Sequence, residues 1–382
     1  MQYRRFGKTN LRLSVFSLGT MRYLASGQTA TDVIQAAIAH GINHIETAQG
    51  YGKSEEYLGV ALRESLDFSH TSISRDDLCI TTKITPTADA ETMETRIEQS
   101  LQSLQLDTVD CLAIHGINTA QHLDWIRDTH GCMAAVRAAV AEGKIKHVGF
   151  STHAPLEIIL GAIATDQFEF VNLHYYTFFQ HNEAAIALAQ EKDMGVFIIS
   201  PADKGGMLYT PPEELRQACA PFTPLGLNYR FLLSDRRITT LSVGPATPEE
   251  LTDPLQVADQ VESLSPEEQA ALERLLQQEV DRLGSDRCAQ CYECLPCPEA
   301  INIPEVLRLR NLAIAHGMKA FGEYRYRMFE NAGHWFPGKK ADRCNECGEC
   351  LPRCPEQLDI PRLLQDTHER LSGPKRRRLW DD

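Results

Sequence analysis

Residues 110–152 decide the fold: DCLAIH (110–115), then CMAAVRAAVAE (132–142), then HVGFST (147–152). The outer runs are short, apolar and β-rich, and the middle one is an alanine-rich helical pattern, so the segment predicts strand, helix, strand. The same alternation extends in both directions. SVFSLGT (14–20), HIETA (44–48) and LCITTKI (78–84) precede it, and FVNLHY (170–175), GVFIIS (195–200) and TTLSVG (239–244) follow. Helical patterns fall at 32–40, 54–64, 91–104, 155–164, 183–192, 224–235 and 247–256. Eight strands alternating with eight helices over about 250 residues match the count and size of a (β/α)8 barrel. A doubly wound sheet would place a G-x-G-x-x-G turn after its first strand, and SLGTMRYLASG (17–27) does not supply one.

Composition sets the wider limits. The chain has 382 residues, 43% of them apolar, enough for a buried core and about two domains. A net charge of −14 argues against a nucleic-acid partner bound through its phosphates. No run approaches the ~20 apolar residues of a membrane span, and MQYRRFGKTN (1–10) lacks the apolar stretch of a secretory signal. The expected setting is the cytoplasm. Residues 1–280 hold 21 basic and 36 acidic side chains and residues 281–382 hold 17 and 16, which predicts two domains divided there. PEEQAALERLLQQEVDRL (266–283) reads as an amphipathic helix leading out of the barrel, with Gly284 as its stop, and residues 304–331 read as mostly helical. PKRRRLWDD (374–382) reads as a solvated charge run.

Eight of the twelve cysteines fall in two blocks. The first, Cys288, Cys291, Cys294 and Cys297, has spacing C-x2-C-x2-C-x2-C-P. The second, Cys344, Cys347, Cys350 and Cys354, has C-x2-C-x2-C-x3-C-P. Three thiolates at intervals of three wrap one corner of a cubane, and a remote cysteine before proline closes the fourth iron. The pattern predicts two [4Fe-4S] clusters. Four-cysteine zinc sites are the alternative, but they use cysteine pairs, and a third C-x2 step in both blocks would leave thiols without a metal. We expect Cys354 to complete the first cluster and Cys297 the second, with each block serving its own cluster as the other wiring. A disulfide framework does not suit a chain of this size without an export signal.

Chemistry in such a barrel sits at the C-terminal ends of the strands, where Glu46, Tyr51, Lys83 and His115 fall. YRRFGKTNLRLSVFSLGTM (3–21), ETAQGYGKSEEYLG (46–59), TTKI (81–84), SLQSLQLDTVDCLAIHGIN (100–118), KIKHVGFSTH (144–153) and the two cysteine blocks together resemble the aldo-keto reductase superfamily, in particular its iron-sulfur branch. The resemblance covers nearly the whole chain. It implies a TIM barrel over 1–280 followed by a small, mainly helical, ferredoxin-like domain over 281–382. It also implies a catalytic tetrad of Tyr51, Lys83, His115 and Glu46, the last standing where the family has aspartate. Carbonyl reduction needs a proton donor, for which Tyr51 is suited, with Lys83 drawing its pKa down from near 10, Glu46 holding Lys83, and His115 orienting the carbonyl oxygen. The implied cofactor is NADP or NAD, contacted by Thr20, Met21, Ser151, Asn172, Ser200 and the loop Gly244, Pro245, Ala246 and Thr247. Asn172 replaces a glutamine of the family, and Ile199 stands where many members carry an aromatic ring. No Lys or Arg lies between Thr239 and Asp253, while Glu249 and Glu250 open the last helix, which weakens discrimination in favour of NADPH.

The function implied is interconversion of a small aldehyde or ketone and an alcohol by hydride transfer. The clusters would be structural or would pass electrons to a protein partner. The alternative is an electron-transfer or redox-sensing protein whose barrel binds nucleotide without efficient carbonyl turnover.

Overall fold

The computed structural model describes residues 1–66 and 74–373, so the charge run 374–382 lies outside the described residues. The chain folds as two compact units, one of residues 1–205 and 228–264, the other of residues 206–227 and 265 onward.

The first unit is a closed parallel barrel. A short antiparallel hairpin, β1 (Tyr3–Arg5) and β2 (Arg12–Ser14), precedes it. The staves are β3 (Phe16–Gly19), β4 (His44–Glu46), β5 (Cys79–Ile84), β6 (Val109–His115), β7 (Ile145–Ser151), β8 (Phe170–Leu173), β9 (Gly195–Ile198) and β10 (Thr240–Val243). All eight lie inside or overlap the runs read from sequence. β10 closes the ring on β3 through Leu241 opposite Phe16 and Val243 opposite Leu18. The staves carry near-continuous apolar runs because helices cover the barrel outside and packed side chains fill it inside.

The hairpin, which periodicity does not reveal, plugs the barrel. Phe6 is fully buried among Leu13, Cys79, Cys111, Ala113, Phe170 and Phe197, its ring 5.0 Å from that of Phe170. Gly195 makes room for it, since a Cβ there would stand 2.2 Å from the Phe6 ring. Above this apolar floor runs a polar layer. Buried His44 meets Ser17 Oγ at 2.6 Å through Nδ1 and Thr81 Oγ1 at 2.7 Å through Nε2, and Ser17 also meets Thr240 Oγ1 at 2.7 Å. Burial pulls the His44 imidazole down to about 3, with Lys83 adding to the effect, so the ring is neutral and both its nitrogens have partners.

Several helices differ from their sequence reading. The first spans Gly27–Ala39 and starts earlier than residue 32, because the Ser26 hydroxyl caps it by accepting the Thr29 N–H at 3.0 Å. The last, expected as one helix over 247–256, is a 3-10 turn Pro248–Leu251 followed by one helical turn Thr252–Leu255. Pro254 has no N–H to carry the ladder further. The helices Ala120–Arg127 and Glu213–Cys219 have no counterpart in the sequence reading.

The second unit is helical. Pro266–Leu283 opens on a capping box in which Ser265 Oγ accepts the Glu268 N–H at 3.2 Å and Glu268 Oε2 accepts the Ser265 N–H at 2.7 Å. Its end is Gly284, at φ 51°, as read from sequence. This helix packs against Glu213–Cys219, where Arg274 Nε donates to Ala218 O at 3.3 Å, and against Ile303–Ala315, where Gln278 donates to Ala315 O at 2.7 Å. By packing it belongs with the cysteine blocks. Ile303–Ala315, Lys319–Tyr326 and Ile360–Leu371 enclose a core that includes Leu309, Leu312, Phe321, Tyr326, Leu363 and Leu371.

Candidate active site and cysteine sites

Glu46 ends β4, Lys83 lies near the end of β5 and His115 ends β6. Tyr51 sits in the loop after β4, its N–H donating to Ala48 O at 3.0 Å. The barrel brings these four side chains together. Lys83, only 2% exposed, donates to Glu46 Oε2 and, at 2.8 Å, to Thr47 O. Glu46 Oε1 accepts the Ser242 hydroxyl at 3.0 Å, so the longer carboxylate is anchored from β10 while it holds the lysine. Lys83 Nζ lies 4.9 Å from the centre of the Tyr51 ring and in hydrogen-bonding reach of its hydroxyl. The Tyr51 ring stands edge-on to His115, with centroids 5.6 Å apart at 83°.

The electrostatics differ in one respect from the sequence expectation. Burial pushes the Tyr51 hydroxyl above its ordinary value of 10, Lys83 opposes that, and Glu46 reinforces it, leaving a net rise. Burial is the largest of these contributions, with Glu46 countering only part of the influence of Lys83, and Tyr51 holds its proton at neutral pH. For Lys83, burial favours the neutral amine, but Glu46 and Tyr51 outweigh it and the ammonium is retained. Beside them is a residue the sequence reading passed over: buried Glu55, which accepts the Thr82 hydroxyl at 2.5 Å and whose carboxyl burial pushes up. The neighbouring acids of KSEEY give no sign of which one turns inward.

A second set of side chains continues across the mouth. His115, Ser151 and Asn172 are in register on β6, β7 and β8. Asn172 is fully buried, and neither its side-chain nitrogen nor its oxygen has a hydrogen-bond partner. An orphaned amide of this kind is rare and has one donor edge and one acceptor edge to offer a planar carboxamide. Ser151 Oγ accepts the Gly116 N–H at 3.1 Å. Thr20 faces its neighbours more than the mouth: its hydroxyl donates to Glu46 O at 3.0 Å and accepts from Ser54 Oγ at 2.7 Å. Met21 is 62% exposed, and Ser200 holds a left-handed backbone at φ 51°. At the loop after β10, Gly244 O accepts Arg22 Nη1 at 2.9 Å and Thr247 begins the 3-10 turn. Arg22 escaped the sequence reading because it is 228 positions from Glu250, which it grips at 2.7 and 3.1 Å.

The eight cysteines line two cavities. One is bordered by Cys288, Cys291, Cys294 and Cys354, the other by Cys297, Cys344, Cys347 and Cys350. The last cysteine of each block thus reaches the other block's cavity. Burial pushes the Cys288 and Cys294 thiols up to about 11 and 12, so both are poor thiolates without a cation nearby. Among the described residues, no three His, Cys, Asp or Glu side chains are disposed around a single metal ion. Ligands of a cubane bind four different irons and therefore stand farther apart than four ligands of one ion.

Residues 16–218, more than half of the chain, match the model of the aldo/keto reductase family, and residues 287–359 match a 4Fe-4S dicluster domain. Glyoxal reductase of Bacillus subtilis (strain 168) is 33% identical over 137 residues, 36% of this chain and 44% of that protein. The uncharacterized oxidoreductase YqkF of the same organism is 23% identical over 250 residues, 62% of this chain and 76% of that protein. The chain thus spans under half the length of the first of these relatives. Among solved structures, the aldo-keto reductase AKR11C1 from Bacillus halodurans in its holo form superposes with a TM-score of 0.62 at 20% identity, covering 72% of this chain and 96% of that one, a likeness of fold.

Proposed function

The chain belongs to the aldo/keto reductase family, and from that premise we propose that its barrel interconverts a small aldehyde or ketone and the corresponding alcohol with a nicotinamide dinucleotide. The observation that carries this reading is buried Lys83, held between Glu46 and the Tyr51 hydroxyl at the C-terminal end of the barrel beside His115. The orphaned amide of Asn172 supports the cofactor, because it could satisfy both its edges on a carboxamide. Asn172 and Ser151 would hold the nicotinamide, and the dinucleotide when bound supplies the hydride.

The protein's part is the proton and the polarisation. A carbonyl oxygen placed between Tyr51 and His115 gains negative charge as hydride arrives at its carbon. His115 donates a hydrogen bond to that oxygen and fixes its direction. Tyr51 gives up its hydroxyl proton, which its raised pKa keeps in place until the alkoxide forms. The phenolate left behind faces the Lys83 ammonium, and Glu46, anchored by Ser242, keeps Lys83 on station. In the reverse direction the same groups accept the proton. Oxidation of NADH or NADPH with a panel of small aldehydes, compared with the Tyr51→Phe variant, tests the reading. Turnover that Tyr51→Phe leaves intact would defeat it.

For the second unit we propose two [4Fe-4S] clusters, ligated by Cys288, Cys291, Cys294 and Cys354 and by Cys344, Cys347, Cys350 and Cys297. Cys291 and Cys347 are exposed, one at each cavity. That exposure favours clusters that exchange electrons with a protein partner in addition to bracing the unit. No helix among the described residues is long and apolar enough to cross a membrane, and cluster thiolates suit a reducing compartment, so we place the protein in the cytoplasm.

A further inference from the structure

The loop after β10 holds an anion of its own. Glu250 Oε2 accepts the Ala246 N–H at 3.0 Å and Arg22 Nη1 at 2.7 Å, and Oε1 accepts Arg22 Nη2 at 3.1 Å. Arg22 also donates to Gly244 O at 2.9 Å, which ties its guanidinium to the loop as well as to the carboxylate. The Thr247 hydroxyl is hydrogen-bonded to Glu249, a second acid in the same turn. Two carboxylates and one guanidinium leave the local charge at −1, and no Lys or Arg lies between Thr239 and Asp253 to change that. In parallel barrels the loops after the seventh and eighth strands are where phosphate groups sit. Here a backbone N–H and a guanidinium that would receive a phosphate already serve Glu250.

We infer that Arg22 and Glu250 form a charge clamp that makes this loop select a dinucleotide with a free adenosine ribose diol, NADH, over one with a 2′-phosphate, NADPH. The inference rests on the dinucleotide reading of the barrel. A carboxylate has about four acceptor sites, of which three are used by Arg22 and Ala246, so Oε1 keeps one for a ribose hydroxyl. Acidic side chains recognise the ribose diol in this way in other dinucleotide folds. A 2′-phosphate would bring about two further negative charges beside Glu249 and Glu250, and its natural cation is committed to Glu250. The clamp is part exposed, with Arg22 46% and Glu250 35% accessible, so solvent and salt moderate the discrimination.

Calorimetric titration of the full-length protein with NADH and with NADPH tests this, on wild type, Glu250→Gln and Arg22→Met, with thermal denaturation showing that each variant is folded. Wild type should bind NADH about tenfold or more tightly than NADPH, and the gap should narrow at high salt. Glu250→Gln, which releases Arg22 and removes one negative charge, should improve NADPH binding about tenfold and erase the preference. Arg22→Met should widen it. Wild type that binds NADPH as well as NADH overturns the inference, and so does a preference that neither substitution moves. If wild type binds neither dinucleotide, the reading of the barrel fails, and the clamp with it.

Discussion

Shortening Glu46 to aspartate is the most informative single change, because it restores the carboxylate length that the resemblance led us to expect. Glu46 uses both oxygens: Oε2 takes the Lys83 ammonium and Oε1 the Ser242 hydroxyl at 3.0 Å. Removing one methylene withdraws the carboxylate by about 1.5 Å, one C–C bond length. If it stays with Lys83, the Ser242 contact opens to about 4.5 Å and is lost. If it stays with Ser242, Lys83 is left buried with only Thr47 O and Tyr51 as partners. A hydrogen bond to a charged group contributes about 1.5–3 kcal/mol, and stranding one member of a buried pair costs about 3–5. We therefore expect Glu46→Asp to lose about 1.5–3 kcal/mol of folding stability and about tenfold in kcat. Dinucleotide affinity should be unchanged, since Asn172 and the loop after β10 are not involved. Urea denaturation and steady-state reduction of one aldehyde measure the two effects on the same preparation. A variant as stable as wild type and equally fast or faster would refute the reasoning. It would mean that the site has slack the geometry does not show.

Tyr51→Phe should reduce carbonyl turnover by about 10²-fold or more while dinucleotide titration stays unchanged, the scale for loss of a general acid. Protein prepared without oxygen should contain about eight irons and eight sulfides, and two zinc ions with no sulfide would refute the cluster assignment. Paired substitutions test the crossed wiring: Cys288→Ser with Cys354→Ser should leave about four irons, whereas Cys344→Ser with Cys354→Ser should damage both clusters. His44 is held neutral in the fold, near pKa 3 against 6.5 when unfolded, so below pH 6.5 the unfolded chain binds a proton that the native state refuses. Stability should then fall by about 1.4 kcal/mol per pH unit from 6.5 down toward 3, and His44→Gln should flatten that part of the curve of urea midpoint against pH.

The sequence alone determined the barrel, because a stave buried on both faces is an uninterrupted apolar run and the helix after it has its own period, both local properties of the chain. It also marked the candidate cluster ligands, since three cysteines at intervals of three carry their chemistry in their spacing. Glu46, Tyr51, Lys83 and His115 were legible because each lies at or just beyond a strand end, where the architecture fixes the direction of the side chain. Tertiary structure decided whatever depends on residues distant in the chain. The hairpin plug was hidden because Phe6 becomes buried only against Phe170 and Phe197. The direction of the Tyr51 shift required knowing that burial and Glu46 together outweigh Lys83. Residues 206–227 and the helix Pro266–Leu283 join the second unit through packing, which the charge division near residue 280 did not convey. The grip of Arg22 on Glu250, between segments that follow neighbouring staves but lie 228 positions apart in the chain, was likewise beyond the sequence. The two cavities, by contrast, group Cys354 with the first block and Cys297 with the second, the wiring the spacing led us to expect without deciding it. Periodicity and spacing report a residue's near neighbours along the chain. Charge balance and ligand sets are sums over neighbours in space, and those exist only once the barrel has closed.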